Sequence, residues 1–351
     1  MPARRLAAPL SARATLVGMP ALTDPMTLGG LELPNRVVLA PLAGIGNWFV
    51  RLQARRFGAG LVVSEMVSSF AVHYRNEKTC RELLRIDPRE RVGGPVCIQL
   101  FGAEPDVIRS AAASVAAAGA DMIDINMGCP VPKVCRTGAG AALLGDPQRA
   151  VAVARAAAEG SGLPVTVKLR SGWSAGERAG VELARRLVSE AGVAAITLHP
   201  RPATIAHRGR PNYELVAELV RTLDAPVILS GGLHSAQDVH EAFEATGAAA
   251  VMLARGALGN PWLFEQVLGR REGPPSEREV LEELDWVIER AIEHLGAPRA
   301  VRYLRRFYPW YLERLVLERS GARFLQGLLQ TAESFADVRE LLERRLVAQP
   351  A

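Results

Sequence analysis

The sequence predicts an α/β protein of the (β/α)₈, or TIM-barrel, class followed by an all-helical C-terminal domain. Three observations carry this. Short apolar runs, often β-branched, alternate with Ala-rich helical stretches, the pattern of a parallel sheet with crossover helices. Eight such units occupy about 250 residues, the size of a closed barrel. No Gly-x-Gly-x-x-Gly turn follows the first run, where a doubly wound nucleotide fold often carries one. Ala40-Pro41-Leu42-Ala43-Gly44 stands there instead.

The expected strands are Val37–Pro41, Gly60–Glu65, Pro95–Phe101, Asp121–Asn126, Pro164–Leu169, Ala194–His199, Pro226–Ser230 and Ala249–Ala254. Between most of them lie helical stretches long enough to cross over: 105–118, 147–159, 176–191, 213–222 and 235–246. Barrel enzymes place their chemistry at the C-terminal ends of the strands. Here the ends read Pro41, Glu65, Gln99, Asn126, Lys168, His199, Ser230-Gly231-Gly232 and Arg255-Gly256. Any one of them is most simply a capping residue. A ring of polar groups converging on one mouth is costly without partners, and so points to a ligand.

The ring has the chemistry of a flavin site. A cation at Lys168 suits the N1–C2 carbonyl edge of a reduced isoalloxazine. Gln99 and Asn126 offer donors and acceptors to its polar edge, and His199 a donor to the ring or its substrate. Pro41, Leu42 and Ala43 are small enough for backbone to lie against a flat ring. Ser230, Gly231 and Gly232, with Ala254, Arg255 and Gly256, suit a phosphate, and Gly259-Asn260-Pro261-Trp262 is placed to start a short helix beyond them.

The stretch Asp124 to Gly140 organises the chain. An apolar run ends at Asn126, and Gly128-Cys129-Pro130 then opens a basic, Gly-rich loop. A lone Cys in a turn is usually a small apolar residue. Lys133 and Arg136 beside it favour a reactive thiol or a polyanion contact. Asn126-Met127-Gly128-Cys129-Pro130, then Lys133-Val134 and 138–144, resemble the tRNA-dihydrouridine synthases, and the bacterial B type most closely. Segments 33–41, 60–66, 95–102, 165–170 and 255–262 carry the same resemblance, which spans 31–342. It implies FMN at the ring of strand ends, NADPH as reductant, and tRNA as substrate. It also implies hydride transfer to C6 of uracil with Cys129 protonating C5. Two departures stand out. Ala203 replaces the second Arg of a His-Gly-Arg-Thr-Arg motif, of which Arg201 remains, and Ser230-Gly231-Gly232 replaces Asn-Gly-Asp.

Past Gly273-Pro274-Pro275 the composition shifts to helices rich in Leu, Glu and Arg. The expected organisation is an extension over 1–25, a barrel over 26–272 and a helical domain over 276–347. Arg302, Arg305 and Arg306 are neighbours by helical spacing and read as one phosphate-binding face, although a solvated face is the plain reading. Pro309 should bend or end that helix. The family's C-terminal helical domain grips tRNA, and this segment resembles it. Lys133, Arg136, Arg170, Arg201 and Arg208 are the further RNA-binding candidates.

Composition sets outer bounds. The 351 residues are 49% hydrophobic with a formal charge of +5, a mild basic excess that admits a nucleic acid without requiring one. No apolar run reaches the roughly 20 residues of a membrane span. Cys80, Cys97, Cys129 and Cys135 form no C-x-x-C pair, which argues against zinc or a disulfide framework and for a reducing cytoplasm. Residues 1–25 hold three Arg and one acid and read as disordered, with a transit address the weaker alternative. A monomer is favoured. Two enzymatic rivals stand beside the tRNA reading: a flavin barrel acting on a small enone or nitro compound, and an aldolase-like barrel with a Schiff base on Lys168. A pure RNA-binding role would leave the polar ring unexplained.

Overall fold

The computed structural model describes residues 20–315 and 319–347, with side chains for 20–315 and 321–342. Among the described residues the strands are β1 (Met26–Leu28), β2 (Leu31–Leu33), β3 (Val37–Leu39), β4 (Leu61–Ser68), β5 (Val96–Phe101), β6 (Met122–Met127), β7 (Val165–Arg170), β8 (Ala195–His199), β9 (Val227–Ser230) and β10 (Ala250–Leu253). Strands β3 to β10 close into a parallel barrel in chain order, with β10 pairing β3. Helices on the outside complete a TIM barrel, and each expected strand is present.

The hairpin β1–β2 is antiparallel, with Met26 opposite Leu33. Three-residue strands are too short for alternation to show in sequence. The hairpin buries Met26, Leu28 and Leu33 against Leu61, Cys97, Met122, Ala195 and Ala250, residues at or near the starts of the barrel strands. It therefore plugs the N-terminal end of the barrel. Part of the expected disordered extension also joins the fold: Leu22 is 3% exposed and its carbonyl accepts from Arg36 N at 2.9 Å. Residues 1–19 lie outside the described residues.

Alternation along each strand sets what lies inside. On β6 the inward residues are Met122, Asp124 and Asn126; on β5 Cys97 and Gln99; on β7 Thr166 and Lys168. The interior is thus apolar at its base and polar at its mouth. The opposite faces, such as Ile98, Ile123, Ile125, Val167 and Leu198, pack under the helices, each contributing about 1.5–3 kcal/mol of burial. Strand β4 breaks the rule. Its register shifts between Val63 and Met66, and an extra residue in a strand reverses which face the following side chains take. Met66 reaches the barrel mouth and Glu65 turns outward.

The C-terminal helices are Glu277–Leu295, Ala297–Leu304, Tyr308–Leu312, Arg319–Thr331 and Phe335–Val347. They share one apolar core with the barrel, in which Phe49 and Leu52 meet Leu304, Phe307 and Tyr311. Gln53 Nε2 donates to Glu283 Oε1 and to Tyr311 Oη, both at 2.8 Å. The helix before Pro309 stops at Leu304, and Pro309 lies in the first turn of the next, where its missing N–H costs nothing. Among the described residues no helix is long and apolar enough to cross a membrane.

Candidate active site

A cavity of about 450 Å³ opens at the C-terminal mouth of the barrel. Pro41, Leu42 and Ala43 line it from the loop after β3, and Gln99, Asn126, Lys168, His199 and Ser230 from the strand ends. Cys129, Gly231, Gly232, Ala254 and Arg255 line it from the loops that follow. The topology brings these together because every strand of a parallel barrel ends on the same face.

Gln99 and Asn126 do more than line the wall. Gln99 Nε2 donates to Asp124 Oδ2 at 2.6 Å, and Asn126 Nδ2 donates to Gln99 Oε1 at 2.9 Å. Asn126 Oδ1 accepts the backbone N–H of Gly128 at 3.2 Å and of Cys129 at 2.9 Å. Their amides therefore face each other as well as the cavity. The Cys129 carbonyl accepts from Ala141 N at 2.9 Å and from the Cys135 thiol at 3.3 Å. Gly140 is obligatory there: its φ is +63°, and a Cβ would stand 2.6 Å from the Cys129 oxygen. Cys129, half-buried at the wall, is held from both sides.

Asp124 was not among the expected site residues. It is 1% exposed, and Thr166 Oγ1 donates to its Oδ1 at 2.6 Å. Burial pushes its carboxyl up to about 6. Its signal in sequence was parity: it stands two residues before Asn126, on the same face. Burial, and then Arg170, bring Lys168 down to about 8, while Asp124 and Cys129 act in the other direction. An anion in the cavity would raise it again. His199 is held neutral by burial and by Lys168, Arg170 and Arg201. Arg201 Nη1 lies 3.1 Å from His199 Nε2. Arginine only donates, so Nε2 accepts and Nδ1 carries the proton. His207, also missed, lines the cavity and stacks on His199 with centroids 5.7 Å apart. Burial lowers it to about 4.

Consecutive left-handed glycines make the turn after β9, with φ of +98° at Gly231 and +86° at Gly232. A Cβ on Gly231 would meet His199 Cδ2 at 2.4 Å. Gly256 does not line the cavity; it packs under the turn, where a Cβ would lie 2.4 Å from the Leu233 carbonyl. Gly259 serves the C-terminal helices instead, its left-handed backbone abutting Trp310.

The basic candidates divide. Lys133, Arg136 and Arg208 are exposed. Arg170 lines the cavity, but its guanidinium donates to the carbonyls of Gly128, Pro202 and Ala206 at 2.7–3.1 Å. Arg201 is 4% exposed and donates to the Gly209 carbonyl, so it braces His199 beneath the surface on which an RNA contact was expected. Arg302 and Arg306 face a second groove of about 580 Å³, with Glu65, Lys78 and Arg299. Arg305 departs from the expected shared face: it lies past the end of its helix and its Nη2 donates to Ala332 O at 3.3 Å. Arg306 Nη1 donates to Gly44 O at 3.1 Å, next to the cavity loop.

A parallel barrel with a cation-bearing cavity and a positioned thiol at its mouth defines a TIM-barrel enzyme. The dihydrouridine synthase (Dus) family model matches residues 38–346. The tRNA-dihydrouridine synthase B of Pseudomonas aeruginosa is 33% identical over 326 residues, covering 91% of this chain and 96% of that protein. The probable tRNA-dihydrouridine synthase 1 of Synechocystis sp. is 34% identical over 328 residues, covering 92% and 89%. Among solved structures, a morphinone reductase variant bound to tetrahydroNAD superposes with a TM-score of 0.55 at 17% identity, covering 74% of this chain and 94% of that one. A 2-naphthoyl-CoA reductase does so at 0.58 and 12%, covering 71% and 52%; both share the fold. The chain belongs to the dihydrouridine synthase family, and with it to the flavin-dependent oxidoreductases that modify tRNA.

Proposed function

We propose that this enzyme reduces uridine to 5,6-dihydrouridine in tRNA, with FMN in the mouth cavity, NADPH as reductant and Cys129 as proton donor. The observation that carries the reading is Cys129 held by its amide and carbonyl at the wall of the cavity that Lys168 also lines. The cavity fits the cofactor. Its 450 Å³ lies within the roughly 300–1,000 Å³ of cofactor pockets. Small residues at 41–43 and bare glycines at 231–232 leave room for a flat ring and a phosphate, and Lys168 and Arg255 supply positive charge. Bound there and reduced, FMN would be the source of hydride for C6 of the uracil.

The chain's own part is to bind, orient and protonate. Lys168 would hold positive charge beside the bound cofactor, and neutral His199 offers its Nδ1–H. As hydride arrives at C6, the Cys129 S–H bond breaks and a C–H bond forms at C5. The thiolate left behind lies in the fields of Arg170 and Lys168. A uridine must leave its stack to reach the cavity. Arg302 and Arg306 in the neighbouring groove, with exposed Lys133, Arg136 and Arg208, are the proposed contacts to its flanking phosphates.

The test is Cys129→Ala. The variant should keep FMN and oxidise NADPH in the absence of tRNA as the wild type does, while dihydrouridine formation falls by about 10²-fold or more. Full turnover on native tRNA would remove Cys129 from the mechanism. Membership of a flavin-dependent family sets aside the Schiff base on Lys168.

A further inference from the structure

Asp124 is sealed inside the barrel and touches neither the cavity nor solvent, yet it begins a chain of hydrogen bonds that ends at Cys129. Each side-chain amide in that chain has a nitrogen end and an oxygen end, so the chain has a direction. An ionised carboxylate only accepts. Asp124 therefore obliges Gln99 to turn its nitrogen inward, at 2.6 Å, and to present Oε1 to Asn126. Asn126 must then spend its nitrogen on Gln99, at 2.9 Å, and present Oδ1 to the amides of Gly128 and Cys129. Reverse either amide and two nitrogens or two oxygens meet. Thr166 adds nothing to the direction, because a hydroxyl can turn to either role.

We propose that Asp124 is a positioning residue for Cys129: by fixing the orientation of Gln99 and Asn126, it holds the Gly128–Cys129 turn in the geometry that presents the thiol to the cavity. This rests on Cys129 being the proton donor. It adds that thiol placement is governed by a carboxylate on the inner face of β6, which never meets substrate. The charged and titratable groups around Asp124 are Lys168 on β7, which acts on it through its charge, and Cys97 on β5, whose thiol meets the Asp124 backbone rather than its carboxylate.

The direction of the chain can be reversed by moving its acid from one end to the other. Asn126→Asp places carboxylates at both ends of Gln99, which can satisfy only one of them. Adding Asp124→Asn restores a consistent chain of opposite sense: the new amide donates to Gln99 Oε1, Gln99 donates to the acid at position 126, and that acid still accepts the two backbone amides. Three readouts are taken on the flavin-loaded enzyme: kcat and KM for dihydrouridine formation, melting temperature, and Cys129 alkylation by iodoacetamide relative to Cys80 by peptide mapping. Asn126→Asp alone should lose at least about tenfold in kcat and melt lower. The double variant should recover most of that loss, melt above the single variant, and return the relative alkylation rate towards wild type. Losses that simply add, with the double no better than Asn126→Asp, would overturn the proposal.

Should the Asn126→Asp proteins not fold, Asp124→Asn alone decides. Without an obligate acceptor the chain populates both directions, so kcat should fall severalfold at unchanged KM and relative Cys129 alkylation should shift. Wild-type values of both would overturn the proposal. Alkylation and melting do not depend on Cys129 being the proton donor, so failure here is distinguishable from failure of the proton-donor reading, which the Cys129→Ala variant tests.

Discussion

Lys168 lines the cavity and Asp124 lies sealed deeper inside the barrel, and each is displaced from its ordinary range by burial. Lys168→Ala should lower FMN occupancy or slow flavin reduction by NADPH, because the reduced ring loses its cation. Wild-type flavin content together with a wild-type reduction rate would exclude that role. Asp124 makes a prediction about stability. Its folded value of about 6 stands above the ordinary 3.8, so the folded protein holds this proton more tightly than the unfolded chain. The stabilisation is complete below about pH 4 and is lost as pH rises through about 6. The difference between folded and unfolded values corresponds to about 3 kcal/mol. Relative to Asp124→Asn, the wild type should therefore lose stability by about that order between pH 4 and pH 8, as urea melts at the two pH values would measure. A stability difference independent of pH would show that burial does not perturb this carboxyl.

Two loops carry the site, and each depends on a glycine for a different reason. Gly140→Ala would push its methyl into the Cys129 carbonyl at 2.6 Å from a left-handed backbone. The expected result is an enzyme that keeps flavin and loses tRNA reduction, since the disturbance is at the thiol. Gly231→Ala would press on His199 at 2.4 Å with φ at +98°. There the expected loss is flavin content, read by absorbance of the purified protein, with about 1–3 kcal/mol of stability from backbone strain. Gly145→Ala, in open space and without a positive φ, is the matched control and should behave as wild type.

The C-terminal helices are fastened to the barrel at the rim of the cavity, and this changes what the basic residues there can report. Arg302→Ala should weaken tRNA binding and flatten its salt dependence by about 0.7–0.9 in log–log slope per lost phosphate contact. Arg305→Ala should leave that slope alone and lower the melting temperature, because its guanidinium serves the Ala332 carbonyl. Arg306→Ala should alter both tRNA affinity and flavin content. It binds the Gly44 carbonyl, which Tyr303 Oη also reaches at 3.3 Å, beside the loop that lines the cavity. Affinity across a salt series, beside flavin absorbance, separates the three. An Arg302→Ala enzyme with unchanged slope would assign that side chain to solvent.

How much of this was legible in the sequence follows from the range of the forces involved. Periodicity and strand-end residues are local, and they determined the eight strands, the mouth of the barrel and most of its lining, from Pro41 to Arg255. Side-chain direction inside the barrel was legible too where alternation holds, and by that rule Asp124 could have been added to Asn126. Alternation failed at β4, where one inserted residue sends Glu65 outward and Met66 inward; a bulge is decided by how neighbouring strands pair. The hairpin β1–β2 was hidden because three residues carry no period. The fates of Arg170, Arg201 and Arg305 were hidden for a different reason. A guanidinium reads alike in sequence whether it faces solvent, a phosphate or a buried carbonyl, and only tertiary packing supplied the carbonyls of Gly128, Gly209 and Ala332 that claim them. The sequence by itself thus determined the barrel and the chemical inventory of its mouth. The tertiary structure decided which of those groups face the cavity and which hold the others in place, because that choice depends on partners far apart in the chain.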